Sequence, residues 1–289
     1  MGSAGLRPST ASTEVEPTEA DLAYAGDVPL NFLNVCWGDI KKARLMYAKM
    51  LAWRRQYKVD DIFETPQYGF ESIAKYYPHA IHGYSKDGCG VVYEVLGKGK
   101  AKELADSGVS IDDIVWHFNL RNEVVFRYLL STERMTDAMN KAPPGAIQPT
   151  PYTSQYSQHP QAMKAPVPRL MTVIDLAGIS MSSFSLHVIS FLKKSSDTID
   201  NYYPEQVARL VVCNAPSWFS LIWGTIKKVL PDAVQNKVDI SYDCSSLDRF
   251  IHPSQRPKEY GGTDPTPLGE SDAHRFFLSC AEKWKEKIK

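Results

Sequence analysis

The sequence predicts an α/β fold with a mostly parallel sheet as its floor and helices as its walls. Three segments are short, almost continuously apolar and bounded by turn residues, as buried strands are: 89–97, 168–178 and 208–214. Apolar residues at helical spacing occupy the intervals at 110–130 and 182–200. Strands of this kind, separated by helices, pair in parallel through right-handed crossovers.

The N-terminal part adds helices to this α/β core. From Val28 to Tyr57 the apolar residues recur at three- and four-residue steps, with Asp39 as an expected N-cap. This pattern predicts an amphipathic helical region whose apolar stripe includes Ile40 and Ala43 and packs on the rest of the protein.

The turn that precedes the strand at 89–97 and one further strand complete the predicted sheet. Residues 82–95 hold an Asp87-Gly88 turn followed by a strand, which predicts a hairpin or an entry loop. A last strand is expected at 236–243, after the helix at 216–230.

Composition restricts the classes of function. The 289 residues carry 33 Lys and Arg against 33 Asp and Glu, so a protein that binds nucleic acid as its main partner is not expected. Five scattered cysteines share no CxxC spacing, and the seven histidines form no ligand pair, so neither disulfides nor a metal site are predicted. Without a signal peptide or an apolar run of about 18 residues, a soluble, cytoplasmic protein is expected.

The helix at 216–230 is apolar around most of its circumference, apart from a few hydroxyl residues and the pair Lys227-Lys228. Such a helix is normally buried in a core. Alternatively, one face lines an apolar cavity or touches a bilayer, with the lysines near anionic headgroups.

A second motif resembles the nucleophile elbow of a serine hydrolase. Gly178-Ile179-Ser180-Met181-Ser182 follows a strand and precedes a helix, but Ser182 stands where the last elbow glycine belongs. An ordinary helix start is the favoured interpretation, and a hydrolase remains an alternative. The residues that would complete the Ser…Asp…His order are Asp239, Asp243 or Asp248, followed by His252.

Four segments in order strongly resemble the CRAL-TRIO lipid-binding domain of Sec14-like phospholipid transfer proteins. They are "VIDLAGIS" (173–180), "DNYYPEQVARLVVCNAPSWFSLIWGTIKKVL" (200–230), "NKVDIS" (236–241) and "RPKEYGGT" (256–263). "FLNVCWGDIKKA" and "WRRQY" are similar to that family's small N-terminal helical lobe, so the resemblance covers about residues 30–262. It implies a sheet floor and helical walls around one apolar pocket that holds a single lipid, closed by a gate helix at 216–230.

The resemblance also implies site residues. Glu205 matches the acidic residue that contacts an inositol headgroup, Lys237 matches the lysine of the same site, and Thr172 matches a threonine near a phosphatidylcholine headgroup. The acyl pocket and gate are expected to involve eight apolar residues: Phe184, Leu210, Val212, Trp218, Phe219, Ile222, Trp223 and Ile226.

The sequence departs from the family pattern in three places. Cys36-Trp37 replaces a basic pair, Val234 replaces a threonine, and Leu170 replaces a serine. The Cys36-Trp37 departure and the proline-rich insertion at 141–168 favour, as an alternative, a non-transfer sensor or scaffold that binds another hydrophobic ligand and presents it to a partner.

The resulting hypothesis is a non-enzymatic protein with no catalytic residue and no cofactor. It binds one phospholipid, for which phosphatidylinositol is the expected choice, and transfers it between membranes through transient peripheral contact. The expected organisation is a disordered tail (1–27), an N-terminal helical lobe (28–80), the CRAL-TRIO domain (81–262) and a C-terminal tail helix (263–289). The proline-rich stretch 141–168 is expected to be an extended or disordered insertion on the surface, with a protein-binding segment as the alternative.

Overall fold

A computed structural model describes residues 15–149, 168–181, 186–228, 230 and 232–288. Its centre is a five-stranded sheet in the order β1-β2-β3-β4-β5, in which β1 runs antiparallel to β2 and all other pairs are parallel. The predicted α/β class with a mostly parallel sheet is confirmed. The strands are β1 (His79–Tyr84), β2 (Gly90–Val95), β3 (Leu170–Asp175), β4 (Val207–Cys213) and β5 (Val238–Ile240).

Eleven α-helices lie in the described part of the chain. They are α1 (Glu19–Tyr24), α2 (Leu30–Val35), α3 (Ile40–Gln56), α4 (Phe70–Tyr76), α5 (Ala101–Asp106), α6 (Ile111–Glu123), α7 (Thr132–Lys141), α8 (Leu186–Tyr202), α9 (Phe219–Lys227), α10 (Asp232–Gln235) and α11 (Asp272–Ile288).

Helix α6 illustrates how local sequence sets an element. Ser110 Oγ accepts from the Asp113 backbone amide at 3.2 Å, and the Asp113 carboxylate accepts from the Ser110 amide at 2.8 Å. This reciprocal capping box fixes the helix start. After Glu123 the helical path continues as a π-helix, Val124–Leu129, so the predicted segment at 110–130 is helical in two forms.

The N-terminal region differs from its prediction in two respects. Disorder was expected for residues 1–27, but residues 19–24 form α1, anchored where Arg55 Nη2 donates to Asp21 Oδ2 at 2.7 Å. The expected burial of Ile40 is also wrong, since its side chain is 55% exposed. Trp37 and Gly38 adopt positive φ between α2 and α3, and Ile40 is the first residue of α3.

The proline-rich segment and the C-terminal tail are more buried than the sequence predicts. Residues 141–149 of the segment are described, and within them Ala146 and Ile147 are buried, with Ile147 in the main core cluster. An entirely exposed insertion is therefore wrong at these positions. The sequence of the tail predicts a polar helix, but Phe277 and Trp284 of α11 are buried, and Trp284 Nε1 donates to the Phe63 carbonyl at 2.9 Å.

The helix and strand that follow β4 are shorter than predicted. Helix α9 covers Phe219–Lys227 of the expected 216–230, and β5 covers Val238–Ile240 of the expected 236–243. The predicted hairpin at 82–95 is formed by β1 and β2, which pair antiparallel across the Asp87-Gly88 turn.

Candidate lipid-binding site

The amino end of β4 brings together the two predicted headgroup residues, Glu205 and Lys237. Lys237 Nζ donates to the Val207 carbonyl at 2.8 Å, and the Glu205 side chain is buried. Burial lowers the pKa of Lys237, and the nearby Glu205 carboxylate acts in the opposite direction. Arg169, just before β3, adds a second positive charge close enough to lower the pKa of Lys237 further.

Helix α2 covers this charged group from the N-terminal side. Asn34 Nδ2 donates to Glu205 Oε2 at 2.8 Å, and Asn31 Nδ2 donates to the Pro204 carbonyl at 3.2 Å. Glu205 itself has φ 63, a left-handed conformation that costs free energy for a residue with a side chain. The α2 contacts therefore help to hold the Glu205 carboxylate in a fixed position.

The family departures lie around the same group of residues. Cys36 caps the C-terminus of α2, and Trp37 is 63% exposed beside it. Val234 is buried, and its carbonyl accepts from the Lys237 backbone amide at 2.9 Å.

A cavity of about 130 Å³ lies between the sheet and helices α6 and α8. Thr172 and Leu210, partners in the β3–β4 register, lie on its floor. Phe118 and Phe191 line its walls with other apolar side chains. The structure thus places Thr172 and Leu210 at one cavity, whereas Glu205 and Lys237 are not among its lining residues.

One end of the cavity is polar. Arg121 Nη1 donates to Glu94 Oε1 at 2.7 Å, and Tyr77 OH donates to Glu94 Oε2 at 2.9 Å. Burial and the Glu94 carboxylate raise the pKa of Tyr77, so its hydroxyl stays protonated and serves as a donor. The cavity is therefore amphipathic, with an ion pair set among apolar walls.

Helix α9 closes the adjacent end of the sheet. Val212, Phe219 and Ile226 form a buried cluster, and the partly buried Trp218, Ile222 and Trp223 pack against it. Ile174, Leu192 and Leu230 belong both to this cluster and to the cavity lining, so the α9 cluster adjoins the cavity. The remaining predicted pocket residue, Phe184, lies outside the described residues.

Three of the motifs quoted above meet at the carboxyl ends of β3 and β4. Asp175 Oδ1 accepts from Asn214 Nδ2 at 2.8 Å, and Asp175 Oδ2 accepts from Tyr260 OH at 2.9 Å. Burial and the adjacent carboxylate raise the pKa of Tyr260, which keeps this donor protonated. Asn214 adopts a left-handed conformation, φ 53, and so turns the chain from β4 toward α9. These hydrogen bonds anchor the start of the α9 connection on the sheet.

A model of the CRAL/TRIO domain matches residues 74–262, more than half of the chain. The chain belongs to the CRAL/TRIO domain family. Within the described residues, no helix is both long and apolar enough to span a membrane.

The chain is also similar in sequence to curated relatives. The chain is 28% identical over 264 residues to the SEC14 cytosolic factor of Kluyveromyces lactis, covering 89% of this chain and 76% of that protein. It is also 28% identical over 264 residues to the phosphatidylinositol/phosphatidylcholine transfer protein SFH4 of Arabidopsis thaliana, covering 89% of this chain and 38% of that protein. The crystal structure of Sfh5 has a TM-score of 0.57 and 14% identity, covering 93% of this chain and 83% of that one, which supports the fold alone.

The hydrolase motif has a different setting in this CRAL/TRIO chain. Ser180 is exposed, and His252 Nδ1 lies 2.9 Å from Ser254 Oγ. The three aspartates that would complete a triad are each engaged elsewhere, in the pairs Asp239–Arg249, Asp243–Ser245 and Asp248–Arg256. Among the residues described, no cluster of His, Cys, Asp or Glu could hold a metal ion.

Sequence reasoning missed the polar end of the cavity in this CRAL/TRIO domain. Asn119, Arg121 and Asn122 interrupt the apolar run of α6, and all three are buried. Polar residues inside an otherwise buried helix are the signal that could have drawn attention to them, because buried polar groups need partners.

Proposed function

We propose that this chain binds one phospholipid, with phosphatidylinositol as the preferred headgroup, and transfers it between membranes without any covalent step. One observation carries the proposal: the cavity between the sheet, α6 and α8 shares the lining residues Ile174, Leu192 and Leu230 with the apolar cluster under α9. The relative named above as a phosphatidylinositol/phosphatidylcholine transfer protein supports the same class of ligand.

The physical requirement for transfer is that acyl chains stay out of water. Each buried methylene is worth about 0.8 kcal/mol, so a lipid leaves a bilayer only for an equally apolar site. The cavity of about 130 Å³ is smaller than the roughly 300–1,000 Å³ of typical ligand sites. Loading therefore requires a wall to move, and we assign this role to α9.

The geometry of α9 suits a gate that faces two environments. Phe219 and Ile226 are buried toward the sheet, whereas Leu221 is 76% exposed on the other side of the helix. When the gate opens at a membrane, Leu221 would meet the bilayer first. The contact would be transient and peripheral, as expected for a cytoplasmic carrier.

Glu205 and Lys237 are the proposed headgroup residues. Glu205 would accept hydrogen bonds from inositol hydroxyls, while Lys237, turned from the Val207 carbonyl, would meet the phosphate. In domain terms, we assign the helical lobe to residues 28–80 and the lipid-binding unit to residues 81–262.

A vesicle assay tests the headgroup assignment. Labelled phosphatidylinositol and phosphatidylcholine are transferred separately from donor to acceptor vesicles by wild type, Glu205→Gln and Lys237→Met. A lost hydrogen bond to a charged group costs a factor of about ten or more, so phosphatidylinositol transfer should fall by that factor in each variant, with a smaller effect on phosphatidylcholine. Lys258→Met, at an exposed lysine outside the site, is the matched control. Equal losses for both lipids would contradict the headgroup assignment.

The second candidate, a sensor or scaffold for another hydrophobic ligand, is favoured by the Asn34–Glu205 hydrogen bond. That bond already occupies one oxygen of the proposed headgroup acceptor, and the family's basic pair is Cys36-Trp37 here. Native mass spectrometry of the purified chain separates the candidates. A co-purified phospholipid supports transfer, and a sterol, isoprenoid or fatty acid supports the sensor.

A further inference from the structure

Two of the five free cysteines meet at the carboxyl end of β4. Cys213 is the last residue of β4 and is fully buried, whereas Cys244 is half-buried and directly precedes the 3₁₀-helix Ser245–Arg249. The Cys213 thiol donates a hydrogen bond to the Cys244 sulfur, so the two sulfur atoms are in contact. A disulfide needs a sulfur–sulfur distance of about 2 Å, which a small movement of the half-buried partner would give.

This pair of cysteines lies at the connection between β4 and α9. Asn214 Nδ2 donates both to Asp175 Oδ1 at 2.8 Å and to Cys244 Sγ at 3.4 Å. Asn214 follows Cys213 directly, and its positive φ turns the chain toward α9. A bond between the two sulfurs would close a covalent ring that contains Asn214, α9 and β5. The tie would limit the movement of the connection from which α9 begins.

The two sulfurs differ in their readiness to react. The hydrogen bond from Cys213 lowers the pKa of Cys244, and the bond from Asn214 acts in the same direction. Burial and the carboxylates of Asp175 and Asp243 oppose this shift without reversing it. The hydrogen bond to Cys244 and burial both raise the pKa of Cys213. Thiolates rather than thiols attack oxidants, so Cys244 is the sulfur that reacts first.

We propose that Cys213 and Cys244 form a reversible, peroxide-sensitive disulfide site at the α9 connection. The Cys244 thiolate attacks one oxygen of hydrogen peroxide, the O–O bond breaks, and the departing hydroxide takes up the proton that Cys244 released. The Cys213 sulfur then attacks the sulfenic acid, the S–O bond breaks, and a second water leaves with the proton of Cys213. The two sulfurs lose two electrons, and the peroxide is reduced to two waters.

The surroundings of Cys244 favour a small, uncharged oxidant. The sulfur is half-buried, and the carboxylates of Asp175 and Asp243 disfavour an anionic disulfide such as oxidised glutathione. Cys36 is the matched reference thiol, because it is also half-buried but burial and Asp39 raise its pKa.

Peptide mapping of the full chain tests the site. The reduced chain is treated with hydrogen peroxide, the remaining thiols are alkylated, and the peptides are identified by mass spectrometry. Wild type should yield a linked Cys213–Cys244 peptide that dithiothreitol separates. Cys36 should oxidise at least about tenfold more slowly, since a pKa difference of about one changes the thiolate fraction tenfold.

Three variants test the order of the steps. Cys244→Ser should form no disulfide, and Cys213→Ala should stop at a sulfenic acid on Cys244 that dimedone traps. Cys36→Ser should form the disulfide as wild type does. Cys244→Ser changes only a half-buried position, so the test does not depend on the folding of Cys213→Ala.

The effect of the disulfide on lipid transfer rests on the proposed function. Oxidised wild type should transfer phosphatidylinositol at least about threefold more slowly than the reduced chain, the factor that a restraint as weak as one hydrogen bond gives. Dithiothreitol should restore the rate, and peroxide should leave the rate of Cys244→Ser unchanged.

The possible failures are distinguishable. Oxidation of Cys36 before any linked Cys213–Cys244 peptide forms would overturn the site, and so would a disulfide that survives in Cys244→Ser. A linked peptide with an unchanged transfer rate would retain the site and reject the restraint on α9. If the reduced chain transfers no lipid, the proposed function fails, whereas the linked peptide still decides whether the disulfide site exists.

Discussion

The two faces of the central sheet are packed in opposite ways, although the same strands form both. On one face Tyr93, Met171 and Val173 are almost completely buried under the segment that carries Leu247 and Ile251. On the other face, residues one position away line the cavity under α6 and α8. Successive side chains of a strand point to opposite sides, so one strand sequence serves two different environments.

This difference separates stability from ligand binding. Among the described residues of the packed cluster, the Tyr93 hydroxyl is the only buried side-chain polar atom without a partner. Around the cavity, Asn119, Arg121 and Ser195 each have one such atom. Substitutions in the packed cluster should affect mainly the free energy of unfolding. Substitutions on the cavity face should affect mainly lipid uptake, because part of their surroundings is already empty.

The largest expected effect comes from a matched pair of leucines, one on each face. Leu247→Ala removes a fully buried side chain from the packed cluster and should lower the free energy of unfolding by about 2–5 kcal/mol. Leu210→Ala removes a half-buried side chain that borders the cavity and should cost only about 1 kcal/mol. Urea denaturation of the lipid-free chain, followed by circular dichroism, measures both.

The order of the two leucines is the decisive result. A larger loss for Leu210→Ala than for Leu247→Ala would show that the cavity face carries the stability of the sheet. Leu278→Ala, at an exposed position of α11, should change the free energy of unfolding by less than about 0.5 kcal/mol.

The sheet could be predicted because its strands are short apolar runs with helices between them, and Asp39 could be predicted as the N-cap of α3 because it directly precedes the apolar pattern. Burial of Ile147 could not, because it depends on a core cluster built from distant segments. Helix α1 was missed for a similar reason: its anchor, Arg55, is 34 residues from Asp21.

The family motifs predict which of the candidate residues lie together, while the roles of these residues stay predictions. Thr172 and Leu210 do line one cavity, and Val212, Phe219 and Ile226 do form one cluster. The polar end was not predicted, because the Arg121–Glu94 pair joins residues 27 apart on a helix and a strand. No periodicity within either element encodes that contact.

A second prediction concerns His117 on α6, whose ring packs against those of His79 and Phe277. Burial lowers the pKa of His117, and His79, Arg121 and His274 lower it further; the pKa of His79 is about 3 and that of His274 about 4. Below pH 6.5 the unfolded chain therefore binds more protons than the folded one, so stability is full above pH 6.5 and falls as the pH drops toward 4. The free energy of unfolding should therefore fall less between pH 7 and pH 5 in His117→Phe than in wild type, by about 2 kcal/mol.

Urea denaturation at several pH values measures this effect. The informative quantity is the slope of the free energy of unfolding against pH, rather than its absolute value. Both ring nitrogens of His117 lack partners among the described residues, so no hydrogen bond is lost in the variant. An unchanged slope would mean that His117 is protonated in the folded chain. The surroundings of His117 would then tolerate a charge, as the cavity tolerates the Arg121–Glu94 ion pair.

The smallest expected effect tests the outer surface of α9 against its inner surface. Leu221→Asp places a charge at a position that is 76% exposed, so the free energy of unfolding should change by less than about 0.5 kcal/mol. If Leu221 enters the bilayer when the gate opens, the loss of its apolar contact should slow vesicle-to-vesicle transfer about tenfold, since burying a leucine is worth about 1.5–3 kcal/mol. Leu278→Asp, on the exposed side of α11, should leave transfer unchanged. Equal rates for the two variants would mean that α9 does not meet the membrane. The cavity would then load through another wall, and α8 is the candidate because it both lines the cavity and borders the α9 cluster.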